Sequence, residues 1–228
     1  MSAIEATPIH DGWNPDLLAL LPRHARRIVE VGCGGGGLAR AFKAAGGTAH
    51  YVGIDHVDAY AQRAANHCDE VRTLDIETID DRVLVEDLRG DCWVFGDTLE
   101  HLRDPWALLA RLRQALPSAG CIVACIPNAQ HWSLQALLNG GEFRYQASGL
   151  MDRTHLRWFT RITIADMFQQ AGFEITDGRS RIFPDSASER ILPLIRAFAI
   201  GTGATPQQAD QAVQDAIPLQ YVVRAVPR

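Results

Sequence analysis

Only one of the 22 basic residues is a lysine, Lys43, so chemistry that needs a lysine imine has almost nothing to work with. The five cysteines, Cys33, Cys68, Cys92, Cys121 and Cys125, are odd in number and contain no Cys-x-x-Cys pair. That argues against a disulfide framework and against a structural zinc site. Cys121 and Cys125 share one face of an expected strand and read as core. No apolar run approaches the ~20 residues that cross a bilayer. Met1 to His10 offers neither a basic n-region nor an apolar h-region, so a cytoplasmic location is expected. A formal charge of −5 lacks the basic footprint of a nucleic-acid binder. Repeats and low-complexity tracts are also missing.

What remains is ordinary globular composition, 47% hydrophobic and 21% charged over 228 residues, which suits one domain spanning 1–228. Trp13 to Leu21 reads as a short helix with Asn14 at the N-cap and Pro15 at the first helical position. Strands are expected at Arg27–Val31, Ala49–Ile54, Glu70–Leu74, Asp91–Gly96, Cys121–Ile126, Phe173–Ile182 and Leu219–Val226. Between them, helices are expected at Leu38–Ala45, Val57–Ala65, Asp104-Pro105 to about Pro117, and Thr160–Ala171. Strands alternating with helices specify an α/β, Rossmann-like, doubly wound and mostly parallel sheet of seven strands. The expected C-terminal strand is antiparallel, and a helix pair at 183–218 reads as an insertion or lid before it.

The densest chemistry follows the first strand, in Glu30-Val31-Gly32-Cys33-Gly34-Gly35-Gly36-Gly37. A loop stripped of side chains lets backbone amides approach a ligand at a helix N-terminus. Gly32, Gly34 and Gly37 also satisfy Gly-x-Gly-x-x-Gly, so a dinucleotide site stays open. Glu30 argues the other way, because a carboxylate beside the loop suits a cationic ligand and repels a pyrophosphate. Asp55, at the end of the second strand, can take both hydroxyls of a ribose or cap the next helix. After the third strand, Asp75 can accept an adenine amino group while Ile76 packs on the ring; a solvated loop acid is the plainer alternative.

Val29-Glu30-Val31-Gly32-Cys33-Gly34, with Asp55, Asp75 and Asp97-Thr98-Leu99-Glu100-His101-Leu102-x-Asp104-Pro105, resembles the class I S-adenosylmethionine-dependent methyltransferases. The resemblance runs from about Arg27 to Phe173 and resumes in the last strand. It implies that Glu30, Gly32, Cys33, Gly34, Gly35 and Gly36 hold the methionyl part of the cofactor. It further implies Asp55 at the ribose, Asp75 and Ile76 at the adenine, and Asp97, Thr98 and Leu99 on the floor near the methyl group, with His56 also among the cofactor-binding residues. Asp152 to Thr160 is similar to a segment of methyltransferases encoded beside glycan-assembly enzymes.

A sulfonium is already a methyl donor, so an oxygen acceptor needs alignment and a route for its proton. His101 is the candidate base, with Glu100 and His155 as further catalytic candidates; a helix-capping role for His101 and a loop-pinning role for His155 are the plain alternatives. Asp97, Glu100, His101 and His155 together resemble the divalent-metal set of the ubiquinone-pathway and small-RNA 2′-O-methyltransferases. Asp97 departs from that pattern, which has Glu there. Trp132, Phe143, Tyr145 and Trp158 can wall an acceptor, and Arg144, Arg153 and Arg157 can meet an anionic group. The expected activity is O-methylation of a small hydroxylated acceptor such as a sugar or nucleotide-sugar. An NAD(P)-dependent oxidoreductase and a noncatalytic cofactor-binding protein remain alternatives, although no Tyr-x-x-x-Lys pair supports the former. No membrane or nucleic-acid partner is expected, and a homodimer is compatible with the sequence.

Overall fold

The computed structural model describes residues 12–228; Met1 to His10, where no basic n-region or apolar h-region was read, lies outside them. A short helix α1 (Pro15–Leu20) opens the fold, its N-cap Asn14 accepting from the amides of Asp16 and Leu17. Then follow β1 (Arg27–Val31), α2 (Gly37–Ala44), β2 (His50–Asp55), α3 (Asp58–Ala64), β3 (Glu70–Thr73), β4 (Cys92–Gly96) and α4 (Pro105–Ala115). The second half holds β5 (Cys121–Pro127), α5 (Trp132–Asn139), α6 (Arg161–Gln170), β6 (Phe173–Arg181), α7 (Ser188–Gly201), α8 (Pro206–Ala216) and β7 (Gln220–Pro227).

The seven strands form one sheet in the order β3-β2-β1-β4-β5-β7-β6. β1 to β5 pair in parallel, and β7 runs antiparallel between β5 and β6. The sheet therefore matches the expected topology. The central strands are buried on both faces, as their apolar runs require. One face packs Val29, Trp93, Phe95 and Ile122 against Leu108, Leu112 and Phe168. The other packs Ile28, Tyr51, Val94 and Val123 against Leu17, Leu20, Leu38 and Phe42.

The helix pair expected at 183–218 is α7 and α8. Its return to the sheet is fixed by Asn128, a fully buried amide that donates to the carbonyls of Asp215 (2.7 Å) and Pro218 (2.8 Å). Arg161 of α6 adds an ion pair with Asp215 at 2.7 Å. Three elements had no sequence expectation: a π-helical stretch at Val83–Leu88, a 3-10 turn at Leu99–His101, and α5. Among the described residues, no helix is long and apolar enough to cross a membrane.

Candidate active site

The carboxyl ends of β1 to β5 face one edge of the sheet, and the loops leaving them enclose a cleft of about 1090 Å³. Open parallel sheets place ligands at this edge, at the point where the strand order reverses. Here that point lies between β1 and β4, directly above the glycine loop.

Gly32 has φ +73°, and a Cβ there would stand 2.7 Å from the hydroxyl of Thr98. That hydroxyl donates to the Val31 carbonyl at 2.9 Å, so β4 is latched to the start of the loop. Asp55 performs two tasks at once. One oxygen accepts from the Gly34 amide (3.0 Å), and the other accepts from the Val57 amide just before α3 (2.9 Å). Of the two sequence readings of this acid, ribose binding and a helix cap, the second is seen as a bond from the amide of Val57, the residue at the N-cap of α3. His56 is mostly exposed, with Nδ1 3.7 Å from the Asp55 carboxylate. Glu30 is buried and accepts from the Tyr51 hydroxyl at 2.9 Å. Burial pushes its pKa up to about 8, against the lowering effect of that bond.

Glu30, Gly32, Cys33, Gly34, Asp55, His56, Asp75, Ile76, Asp97 and Thr98 all line the cleft. Gly35, Gly36 and Leu99 do not. A Cβ on Gly36 would meet Ala64 and His67 of the α3 region, and Leu99 is fully buried in the core under β4. Asp75 caps the turn after β3 by accepting from the Glu77 amide at 3.0 Å, and Arg103 stands 3.6 Å from its carboxylate.

Beyond β4, Glu100, His101 and His155 converge, with their ligating atoms all within 4.8 Å of one another. Glu100 is almost completely buried, and neither carboxylate oxygen has a hydrogen-bond partner. Burial, reinforced by the nearby Asp97 charge, holds its pKa well above the usual carboxylate range. Nδ1 of His101 lies 3.1 Å from the Thr154 carbonyl, and Nδ1 of His155 lies 3.1 Å from the Leu150 carbonyl. A carbonyl only accepts, so both Nδ1 atoms donate and each neutral ring leaves a lone pair on Nε2. Burial lowers both pKa values, and His155 further lowers that of His101. His155 Nε2 is 3.9 Å from Glu100.

Asp97 stands apart from this trio. Its backbone is left-handed at φ +53°, and one carboxylate oxygen accepts from both Gln220 Nε2 and the Cys125 thiol (3.4 Å). Burial raises its pKa to about 6 against the pull of Cys125, Arg181 and Gln220. The sequence-expected acceptor wall is divided. Phe143, Tyr145 and Trp158 group at 6.0–6.4 Å between ring centres, whereas Trp132 stacks with His131. None of these four rings, nor Arg144, Arg153 or Arg157, lines the cleft. Sequence reasoning missed Trp13, Asn14, Leu17, Arg181 and Gln220, which do. They come from the two ends of the chain, and only the fold brings them together.

The model of a methyltransferase domain family matches residues 10–177. The chain belongs to that family. This methyltransferase is 29% identical over 179 residues to a ubiquinone biosynthesis O-methyltransferase of Cereibacter sphaeroides strain ATCC 17025, covering 75% of this chain and 69% of the relative. A protein of the same name from Neisseria meningitidis serogroup A is 26% identical, with 78% of each chain covered. Among solved structures, an S-adenosylmethionine-dependent methyltransferase of Archaeoglobus fulgidus superposes with TM-score 0.60 at 18% identity, covering 90% of this chain and 87% of that one. Magnesium protoporphyrin IX methyltransferase of Synechocystis, solved with S-adenosylhomocysteine, gives 0.59 at 13% identity, covering 94% and 81%. The methyltransferase is thus an S-adenosylmethionine-dependent enzyme built on the Rossmann-like sheet.

Proposed function

We propose that this enzyme methylates an oxygen of a small hydroxylated acceptor, a sugar or nucleotide-sugar being one such class. The observation that carries the proposal is the trio itself: two imidazole Nε2 lone pairs and an unpartnered buried carboxyl, converging beside the cofactor loop. The names of the related O-methyltransferases support oxygen as the target atom.

In this reading the adenosine lies along the β2–β3 side of the cleft, with Asp55 and His56 at the ribose and Asp75 and Ile76 at the adenine. Glu30 meets the α-ammonium of the methionyl group, and Gly32 to Gly34 let the chain approach it closely. Transfer moves the sulfonium methyl to the acceptor oxygen and leaves the sulfur as a neutral thioether. The hydroxyl proton goes to His101 Nε2, which is free to take it because Nδ1 is already committed.

A second reading is favoured by the orphaned Glu100 oxygens. A buried carboxyl without a partner is costly, and a cation would repay that cost. Glu100, His101 and His155 suit a divalent ion, with both imidazoles oriented by backbone carbonyls as metal-binding histidines usually are. Such an ion would hold vicinal hydroxyls and lower the pKa of the one to be methylated. Asp97 lies outside the group of three whose ligating atoms are within 4.8 Å of one another, and one of its oxygens is taken by Gln220 and Cys125.

Metal content and chelator response, measured on the wild type and on His155→Ala, separate the two readings. A bound ion that the substitution removes, with a parallel loss of turnover, supports the second. An enzyme indifferent to both treatments works with His101 alone. A methylated nitrogen or carbon in the isolated product would overturn the proposal as a whole.

A further inference from the structure

We propose that Asn14 and Arg181 form the subsite that binds the α-carboxylate of the methyl donor. The inference rests on the placement of the adenosine proposed above.

Strand order sets the direction of the donor across the cleft. Asp75 follows β3, Asp55 ends β2, and Glu30 lies on β1. Neighbouring strands lie about 4.8 Å apart, so a donor with its adenine near β3 and ribose near β2 extends its amino-acid tail past β1 toward β4. That tail is zwitterionic. Glu30 answers its ammonium, and the carboxylate needs donors on the β4 side.

Two arginines line the cleft among the described residues, Arg103 and Arg181. Arg103 stands beside Asp75 and Glu77, at the adenine end. Arg181, at the end of β6, is the cation of the opposite end. Its guanidinium is positioned by three neighbours: Nη1 donates to Gln220 at 2.6 Å, Nε lies 3.6 Å from Asp16, and the group sits 5.2 Å from the centre of the Phe183 ring.

Asn14 supplies the second donor. Its Oδ1 is fixed by the amides of Asp16 and Leu17, which dictates where Nδ2 points. Nδ2 is buried and has no hydrogen-bond partner, although the residue lines the cleft. Leu17, one turn on, reaches the end of β4, lying 3.0 Å from where a Cβ on Gly96 would stand. Asn14 therefore overhangs the point at which the tail emerges. The donors are side chains, and the dipole of this six-residue helix has no part in the argument. A buried donor without a partner is a deficit that a ligand oxygen removes, and a guanidinium–carboxylate pair is the strong form of such a bond.

The test is calorimetric binding of S-adenosylhomocysteine and of its decarboxylated analogue to the wild type, Arg181→Met, Arg181→Lys and Asn14→Asp. The wild type should bind the carboxylated ligand about tenfold or more tightly, as charge-assisted hydrogen bonds imply. Arg181→Met should erase that preference while leaving the affinity for the decarboxylated analogue unchanged, and Arg181→Lys should restore part of it. Asn14→Asp keeps the helix cap but replaces the donor with a carboxylate, so it should weaken the homocysteine ligand alone. The analogue, unmoved in each variant, also reports that the variant has folded. Equal wild-type affinity for the two ligands overturns the proposal. So does a loss shared by both ligands, or an Arg181→Met effect confined to the KM of the acceptor. If the wild type binds neither ligand, the donor placement itself fails first.

Discussion

Glu30 keeps its proton at neutral pH in the folded protein, because burial raises its pKa from 4.5 to about 8 with only the Tyr51 hydroxyl opposing. The unfolded chain gives that proton up above 4.5. The contribution of Glu30 to stability is therefore complete below pH 4.5 and is lost as pH rises through about 8. Thermal melting between pH 5 and 9 should show this decline, and Glu30→Gln should flatten it. If the donor ammonium sits beside Glu30, binding at pH 7 also releases a proton. Binding heats in two buffers of different ionisation enthalpy should then differ, and that difference should vanish in Glu30→Gln. Identical heats in the wild type would remove Glu30 from the ammonium. The histidines have the opposite sign. Both fall below 6.5 on folding, so their contribution is present above 6.5 and is lost as pH drops through the folded values. With His101 as base, the acid limb of kcat/KM should lie below pH 6.5; a limb at or above 6.5 would point to another group.

The glycine loop shows what one element asks of its neighbours. At Gly32 a methyl group would collide with Thr98, whose hydroxyl closes the β1–β4 junction, and the left-handed backbone adds strain. Gly32→Ala should cost about 2 kcal/mol in chemical denaturation and abolish binding of S-adenosylhomocysteine. A stable variant with intact binding would mean that the loop readily shifts. This loop was legible in the sequence because its signal is local: a strand, a glycine run and a helix in succession. The same holds for Asn14, Asp104 and Thr160, where a cap residue announces the following helix and the structure shows each cap bonded. The π-helical stretch at Val83–Leu88 and helix α5 were not legible. The first departs from the 3.6-residue period on which such reading relies. The second follows strand β5 without an Asp, Ser or Thr cap, since His131 fills that position.

At the scale of the whole molecule, the cleft joins residues that no sequence window holds. His101 and His155 are 54 positions apart, yet their ring centres lie 4.8 Å from each other. The reason is that the segment before α6 folds back over β4, with the amides of Leu156 and Arg157 both donating to the Glu100 carbonyl. Asp97 and Gln220 meet because β7 inserts beside β5. The resemblance named Glu100, His101 and His155, which converge, together with Asp97, whose bond to Gln220 depends on that long-range pairing. Asn128 has a similar reach, since it ties the end of the α7–α8 insertion to β5. Asn128→Ala should lower stability by about 2 kcal/mol, since the buried Pro218 carbonyl loses its donor and the Asp215 carbonyl keeps only the longer bond from the Tyr221 hydroxyl at 3.3 Å. Hydrogen exchange should quicken most in residues 206–220, and uniform quickening across the sheet would argue against a local clamp.

The place of β7 also bears on how the protein is made. During synthesis β6 leaves the ribosome some 40 residues ahead of β7, and among the described residues β7 is the only strand with which it pairs. Until β7 arrives, both β5 and β6 present unpaired edges, and the nascent chain is a five-strand sheet with a loose ribbon beside it. This enzyme is therefore expected to depend on chaperones late in translation, when most of the residues that line its cleft are already made and its sheet is still open.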